Sequence, residues 1–117
     1  MTFAVPPRIN GSQATDERSV MIGESLTLHC PATGVPQPDI QWTGRGKEIV
    51  LLSEPNLRVL DAGRELQLFN AHLPDAGAYK CNASNTAGTA SKQFKVNIVG
   101  EFISTRYFLF YFIFGVV

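Results

Sequence analysis

Asp75-Ala76-Gly77-Ala78-Tyr79-Lys80-Cys81 opens the run that decides the fold. Beyond Gly77, the residues Tyr79, Cys81 and Ala83 alternate with Lys80, Asn82 and Ser84. A period of two places successive side chains of a strand on opposite faces. An upstream run matches it: in Ser25-Leu26-Thr27-Leu28-His29-Cys30, Leu26, Leu28 and Cys30 point one way, and Thr27 and His29 the other. Trp42 stands twelve residues after Cys30, and Cys81 stands 51 residues after it. Together these signals predict short strands packed in two layers.

At 117 residues the chain is long enough for one such domain. Ten basic and ten acidic residues cancel, and no cationic cluster marks a nucleic-acid footprint. Met1-Thr2-Phe3-Ala4-Val5-Pro6-Pro7 has neither the basic start nor the apolar run of an export signal.

In chain order, Thr2-Phe3-Ala4-Val5 alternates and stops at Pro6-Pro7, which lack an N–H for a ladder. Residues 1–5 read either as the end of a preceding domain with a proline linker or as this domain's own first strand. Strands are expected at Arg8 to Asn10 and Ser19 to Ile22, and a loop over Pro31 to Pro38. Ile40 and Trp42 are expected inward, Gln41 and Thr43 outward, with a short segment around Glu48 to Leu51. Leu57 to Leu60 forms the next strand, Asp61-Ala62-Gly63 a turn, and Leu66 and Leu68 face inward with Phe69 outward. Leu73 is expected to plug the bottom of the core. Asn85-Thr86-Ala87-Gly88 reads as a hairpin turn in which Asn and Gly tolerate positive φ. The last strand runs from Ala90 to Val99 with Phe94, Val96 and Ile98 inward, so the sandwich spans residues 6–99.

Four stretches carry a family resemblance: Gly23 to Cys30, Gly34 to Trp42, Leu66 to Ala71, and Asp75 to Gly88. They resemble the immunoglobulin I-set pattern, most like one repeat of a hemicentin-type extracellular array. The resemblance implies an all-β, two-sheet Greek-key sandwich. In it Cys30 and Cys81 bridge the sheets, Trp42 packs on the bridge, and the Tyr79 hydroxyl ties down the corner before its strand. Leu66, Leu68, Asp75 and Gly77 belong to the same core signature. Cytosolic members of the fold keep such cysteines as free thiols, and that alternative stays open. A bridge of this span stabilises by about 4 kcal/mol in the chain-entropy model and implies an oxidising compartment. Without an export signal, the chain is then expected to be a piece of a longer protein. The resemblance also implies that Arg58 meets Asp75 across the bottom of the sandwich. The alternative is a solvated Arg58 and an Asp75 that only caps its local turn.

Residues 100–117 depart from the pattern and hold seven of the chain's twelve aromatics, from Phe102 to Phe114. A membrane helix needs about 20 apolar residues, whereas the run from Tyr107 to Val117 is eleven and Arg106 stops it. Three readings stand: an ill-matched end from a truncated or mis-spliced frame, the start of a cut membrane segment, or a helix or strand that docks locally. A run this apolar predicts aggregation in each case.

No constellation suited to catalysis occurs, and no cofactor, metal or small-molecule substrate is expected. His29 adjoins Cys30 but points outward; His72 has no cysteine or carboxylate at ligand spacing. Asn10-Gly11-Ser12 and Asn82-Ala83-Ser84 are N-glycosylation acceptors. Asn82 leaves an outer face that also shows Gln41, Thr43, Lys80, Ser84, Gln93, Lys95 and Asn97. That face lacks the Trp, Tyr and Arg anchors of tight interfaces. The resemblance implies a non-catalytic interaction and spacer domain of a matrix or cell-adhesion protein, extracellular, meeting other proteins by weak multivalent contacts. The alternatives are a domain of an intracellular muscle filament, and a membrane-proximal receptor domain if the tail is a truncated anchor.

Overall fold

The alternation read from the sequence becomes two facing sheets in the computed structural model, which describes residues 3–44, 47–48, 55–103 and 109–114. The strands are β1 Val5–Ile9, β2 Asp16–Met21, β3 Leu26–His29, β4 Ala32–Val35, β5 Asp39–Gly44 and β6 Lys47–Glu48. They continue as β7 Leu57–Leu60, β8 Glu65–Leu68, β9 Gly77–Asn85, β10 Gly88–Ile103 and β11 Leu109–Phe114. One sheet has the order β3-β8-β7; the other runs β6-β5-β9-β10, with β2 parallel along the far edge of β10. A separate antiparallel pair, β1-β4, closes one side.

The core lies between the sheets. Leu28, Leu57, Leu66 and Leu68 come from the smaller sheet, and Trp42, Tyr79, Phe94, Val96 and Ile98 from the larger, all buried. The rings of Trp42 and Phe94 meet at 5.5 Å between centroids, tilted by 32°. Burying a large apolar side chain stabilises by about 1.5–3 kcal/mol, so these period-two positions decide which face of each strand turns inward. The inward assignments for Leu66, Leu68, Tyr79, Cys81, Ala83, Phe94, Val96 and Ile98 hold.

Several expectations are corrected. Residues 31–38 are not all loop: β4 lies inside them and pairs Ala32 with Ile9, Thr33 with Arg8 and Val35 with Val5. The first strand therefore begins at Val5, inside the segment set apart as residues 1–5, and Pro6 and Pro7 lie within it. The register shifts between Val5 and Arg8, where the two prolines have no N–H to give. Leu73 is 44% exposed and does not plug the core; Ala71, at 1%, is the buried residue there. Asn97, expected on the open face, is buried and donates from Nδ2 to Glu17 Oε1 at 2.9 Å. The last strand is longer than expected. β10 continues past Val99 to Ile103, and β11 pairs antiparallel with it from Ile98↔Phe114 to Ile103↔Leu109. Of the expected segment from Glu48 to Leu51, Glu48 pairs with Thr43, and the rest lies outside the described residues.

Candidate protein-interaction face

The larger sheet owes its rigidity to what lies behind it. Cys30 and Cys81, both fully buried, are joined by a disulfide across a Cα–Cα distance of 6.4 Å. Trp42 packs beside them, and its Nε1 donates to the Gly63 carbonyl at 2.7 Å. Gly63 has φ +92°, and a Cβ there would come within 2.8 Å of the Ile40 Cβ. Only glycine brings this carbonyl to the indole without strain.

At the lower end the Tyr79 hydroxyl donates to the Asp75 carbonyl at 2.6 Å. Asp75 is 1% exposed, and its carboxylate is held locally. Asn56 Nδ2 donates to both oxygens at 3.0 Å, the His72 backbone N–H to Oδ2 at 2.9 Å, and His72 Nδ1 lies 2.8 Å from Oδ2. The expected Arg58–Asp75 ion pair is absent. Arg58 is exposed and sits over the Phe69 ring, 5.1 Å from its centroid. The physical reason is that Asn56 and His72 already occupy the carboxylate, while Arg58 packs over Phe69 instead. The expectation that His72 has no carboxylate at ligand spacing is corrected by Asp75, three residues on. His29 is exposed, 3.5 Å from Glu65 Oε1. Among the described residues, no group of three His, Cys, Asp or Glu side chains is placed to hold a metal ion.

The register of β5, β9 and β10 brings the predicted face residues into rows. Gln41 stands opposite Asn82, and Asn82 opposite Ser91; Thr43 stands opposite Lys80, and Lys80 opposite Gln93. Lys95 follows on β10 opposite Ala78. Directly opposed side chains on one face lie about 5 Å apart at Cβ, so the rows form a continuous polar surface. A hollow of about 250 Å³, lined by Thr43, Ala78, Tyr79, Lys80 and Gln93, indents it. Gln41 and Gln93 are exposed, while Thr43, Lys80, Asn82 and Lys95 are half-buried by their neighbours. Asn97 drops out of the face, under Glu17.

Asn85 does more than the turn chemistry expected of it. Its φ is not positive; among the described residues, the positive-φ residues other than glycine are Asp61, Ala62 and Asn70. Its side chain instead ties three segments. Nδ2 donates to the carbonyls of Val5 at 2.7 Å and Pro36 at 3.0 Å, and Oδ1 accepts from the Ala87 N–H at 2.8 Å. An Asn ending a strand before a two-residue turn is the sequence signal for the last of these bonds; the other two depend on the fold.

Two sheets joined by a buried bridge, with the indole in the same core and the tyrosine corner closed, are the arrangement the resemblance implied. The sequence pattern of the immunoglobulin I-set domain matches residues 10–98. The chain belongs to the immunoglobulin I-set family. This I-set domain is 43% identical to hemicentin-1 of Mus musculus over 94 residues, which cover 80% of the chain and 2% of that protein. It is 35% identical to Mus musculus myopalladin over 97 residues, 81% of the chain and 7% of that protein. Among solved structures, titin domain M7 matches with a TM-score of 0.71 at 26% identity, over 84% of this chain and 98% of that one. The I-set domain thus spans 2% of hemicentin-1 and 7% of myopalladin, a small fraction of each. Immunoglobulin domains generally mediate protein–protein contacts and are typically not catalytic.

Proposed function

We propose that this I-set domain is a non-catalytic interaction and spacer module of an extracellular matrix or cell-adhesion protein. The module proper is the span expected over residues 6–99, extended to Val5 by the pairing of β1 with β4; the family match falls within it, and residues 100–117 are an appendage. The observation that carries the reading is the Cys30–Cys81 disulfide, fully buried between the sheets. Such bridges form and persist in oxidising compartments, and hemicentin-1 is an extracellular relative. The mechanism is mechanical and additive. A locked sandwich holds the row of Gln41, Asn82 and Ser91 and the row of Thr43, Lys80 and Gln93 at fixed spacing. Because the described residues of the face offer no exposed aromatic or arginine anchor, each contact with a protein partner is weak, and affinity comes from repetition along an array.

The likeness to myopalladin and to titin domain M7 favours the second reading, an element of an intracellular muscle filament with reduced thiols. Thiol titration of the protein, taken from its native source and unfolded without reductant, separates the two. No free thiol is expected; two free thiols would transfer the domain to the filament reading. Binding of a tandem array against a single copy on a partner-coated surface tests the mechanism, which predicts affinity that rises with copy number.

A further inference from the structure

The two N-glycosylation acceptors occupy different surroundings, and the difference bears on which is used. Asn10 follows β1 in an exposed turn over residues 10–13. Gly11, in the middle of the triplet, has φ +76°, and a Cβ there would lie 3.3 Å from Lys92 Nζ. Lys92 reaches over from β10: its Nζ is 3.5 Å from the Asn10 carbonyl and 4.0 Å from Asp16 Oδ2. The turn is therefore pinned through its backbone while the Asn10 side chain stays exposed. Two residues on begins a hollow of about 210 Å³, lined by Ser12, Gln13, Ala14, Thr15, Ser91 and Gln93. It offers hydroxyl and amide groups beside the acceptor, and no packed side chain has to move.

Asn82 lies in the middle of β9, paired on one side with Gln41 and on the other with Ser91. It is half-buried and follows directly on Cys81, whose sulfur is fixed in the bridge. A glycan is bulky and belongs on an accessible surface. Asn82 is open to a transferase only until β9 pairs with both neighbours and the disulfide closes. The Asn10 turn remains open afterwards.

We infer that Asn10 is the glycan-bearing residue of this domain and that Asn82 stays unmodified, which leaves the β5-β9 part of the face, with Gln41, Thr43 and Lys80, free for protein contact. The inference rests on the extracellular reading for its occurrence in nature, but its geometry is testable apart from that reading. The full chain is secreted from mammalian cells behind an added signal sequence, and glycans are removed enzymatically in isotope-labelled water so that each used Asn becomes a labelled Asp. Label is expected at position 10 and not at 82. The mobility shift on deglycosylation is lost in Asn10→Gln and in Ser12→Ala, which removes the acceptor while keeping Asn10, and persists in Asn82→Gln. A pulse of reductant during synthesis, which delays the bridge, is expected to raise occupancy at Asn82 and leave Asn10 unchanged. Label at Asn82 without reductant, or secreted chain unlabelled at Asn10, overturns the inference. Two free thiols in the native-source protein would instead overturn the extracellular reading, with the acceptor geometry still decided by the label.

Discussion

Replacing Gly63 by alanine probes the joint between the two sheets. Gly63 is buried at φ +92°, and its carbonyl receives the Trp42 N–H at 2.7 Å. A left-handed conformation costs an L-residue about 1–2 kcal/mol. The new methyl also meets the Ile40 Cβ at 2.8 Å and the Ile40 carbonyl oxygen at 3.1 Å. Neither atom can rotate away, so relief requires a backbone shift that also moves the carbonyl from the indole; overpacking of this kind costs about 1–3 kcal/mol. The sum, about 2–5 kcal/mol, is a large fraction of a small domain's stability. Gly23→Ala supplies the control, because Gly23 has φ +89° but nothing within 4 Å of the added carbon. It is expected to cost about 1–2 kcal/mol, the conformational part alone. The assay is urea unfolding followed by the emission of the lone Trp42, with the midpoint falling at constant slope. Trimming Ile40 to Val leaves its Cβ and carbonyl in place, so Gly63→Ala/Ile40→Val should recover nothing. Equal losses in Gly63→Ala and Gly23→Ala would refute the close-contact argument.

Further expectations concern the ends of the sandwich. Tyr79→Phe removes a buried 2.6 Å hydrogen bond to the Asp75 carbonyl and should cost about 1–3 kcal/mol by denaturant titration; an unchanged midpoint would mean the corner closes without it. A double-mutant cycle should find a coupling of about 0.5–1 kcal/mol between Arg58 and Phe69, and none between Arg58 and Asp75. The reverse pattern would restore the ion pair that the geometry excludes. Glu17→Ala strands the buried Asn97 amide and should cost about 1–3 kcal/mol, with Glu17→Gln keeping most of the stability because its amide oxygen still accepts.

The inward faces of β3, β8, β9 and β10 were legible because burial in a pleated strand has period two and needs no knowledge of the partner strand. Asn82, Lys80 and Gln93 were likewise placed on one outer face by alternation alone, before any register was available. Asn97 obeyed the same alternation, yet it is buried, because β2 lies along β10 and brings Glu17 over it. Arg58 failed for a related reason. Its charge marks it as a partner for a carboxylate, but which group reaches Asp75 depends on the path of the 70–75 turn, which supplies His72, and on where the chain just before β7 passes, which supplies Asn56.

The chain's own order of residues determined the two-layer class and the signature around Cys30, Trp42, Tyr79 and Cys81. These are local properties of alternation, residue type and spacing. Only the tertiary structure decided that β4 lies within a stretch of turn formers, that Pro6 and Pro7 sit in an edge strand opposite it, and that Asn85 ties that edge to the β9-β10 turn. Those features rest on hydrogen bonds between residues as far apart as Val5 and Asn85. Distance in space selects such partners, and the one-dimensional pattern does not encode it.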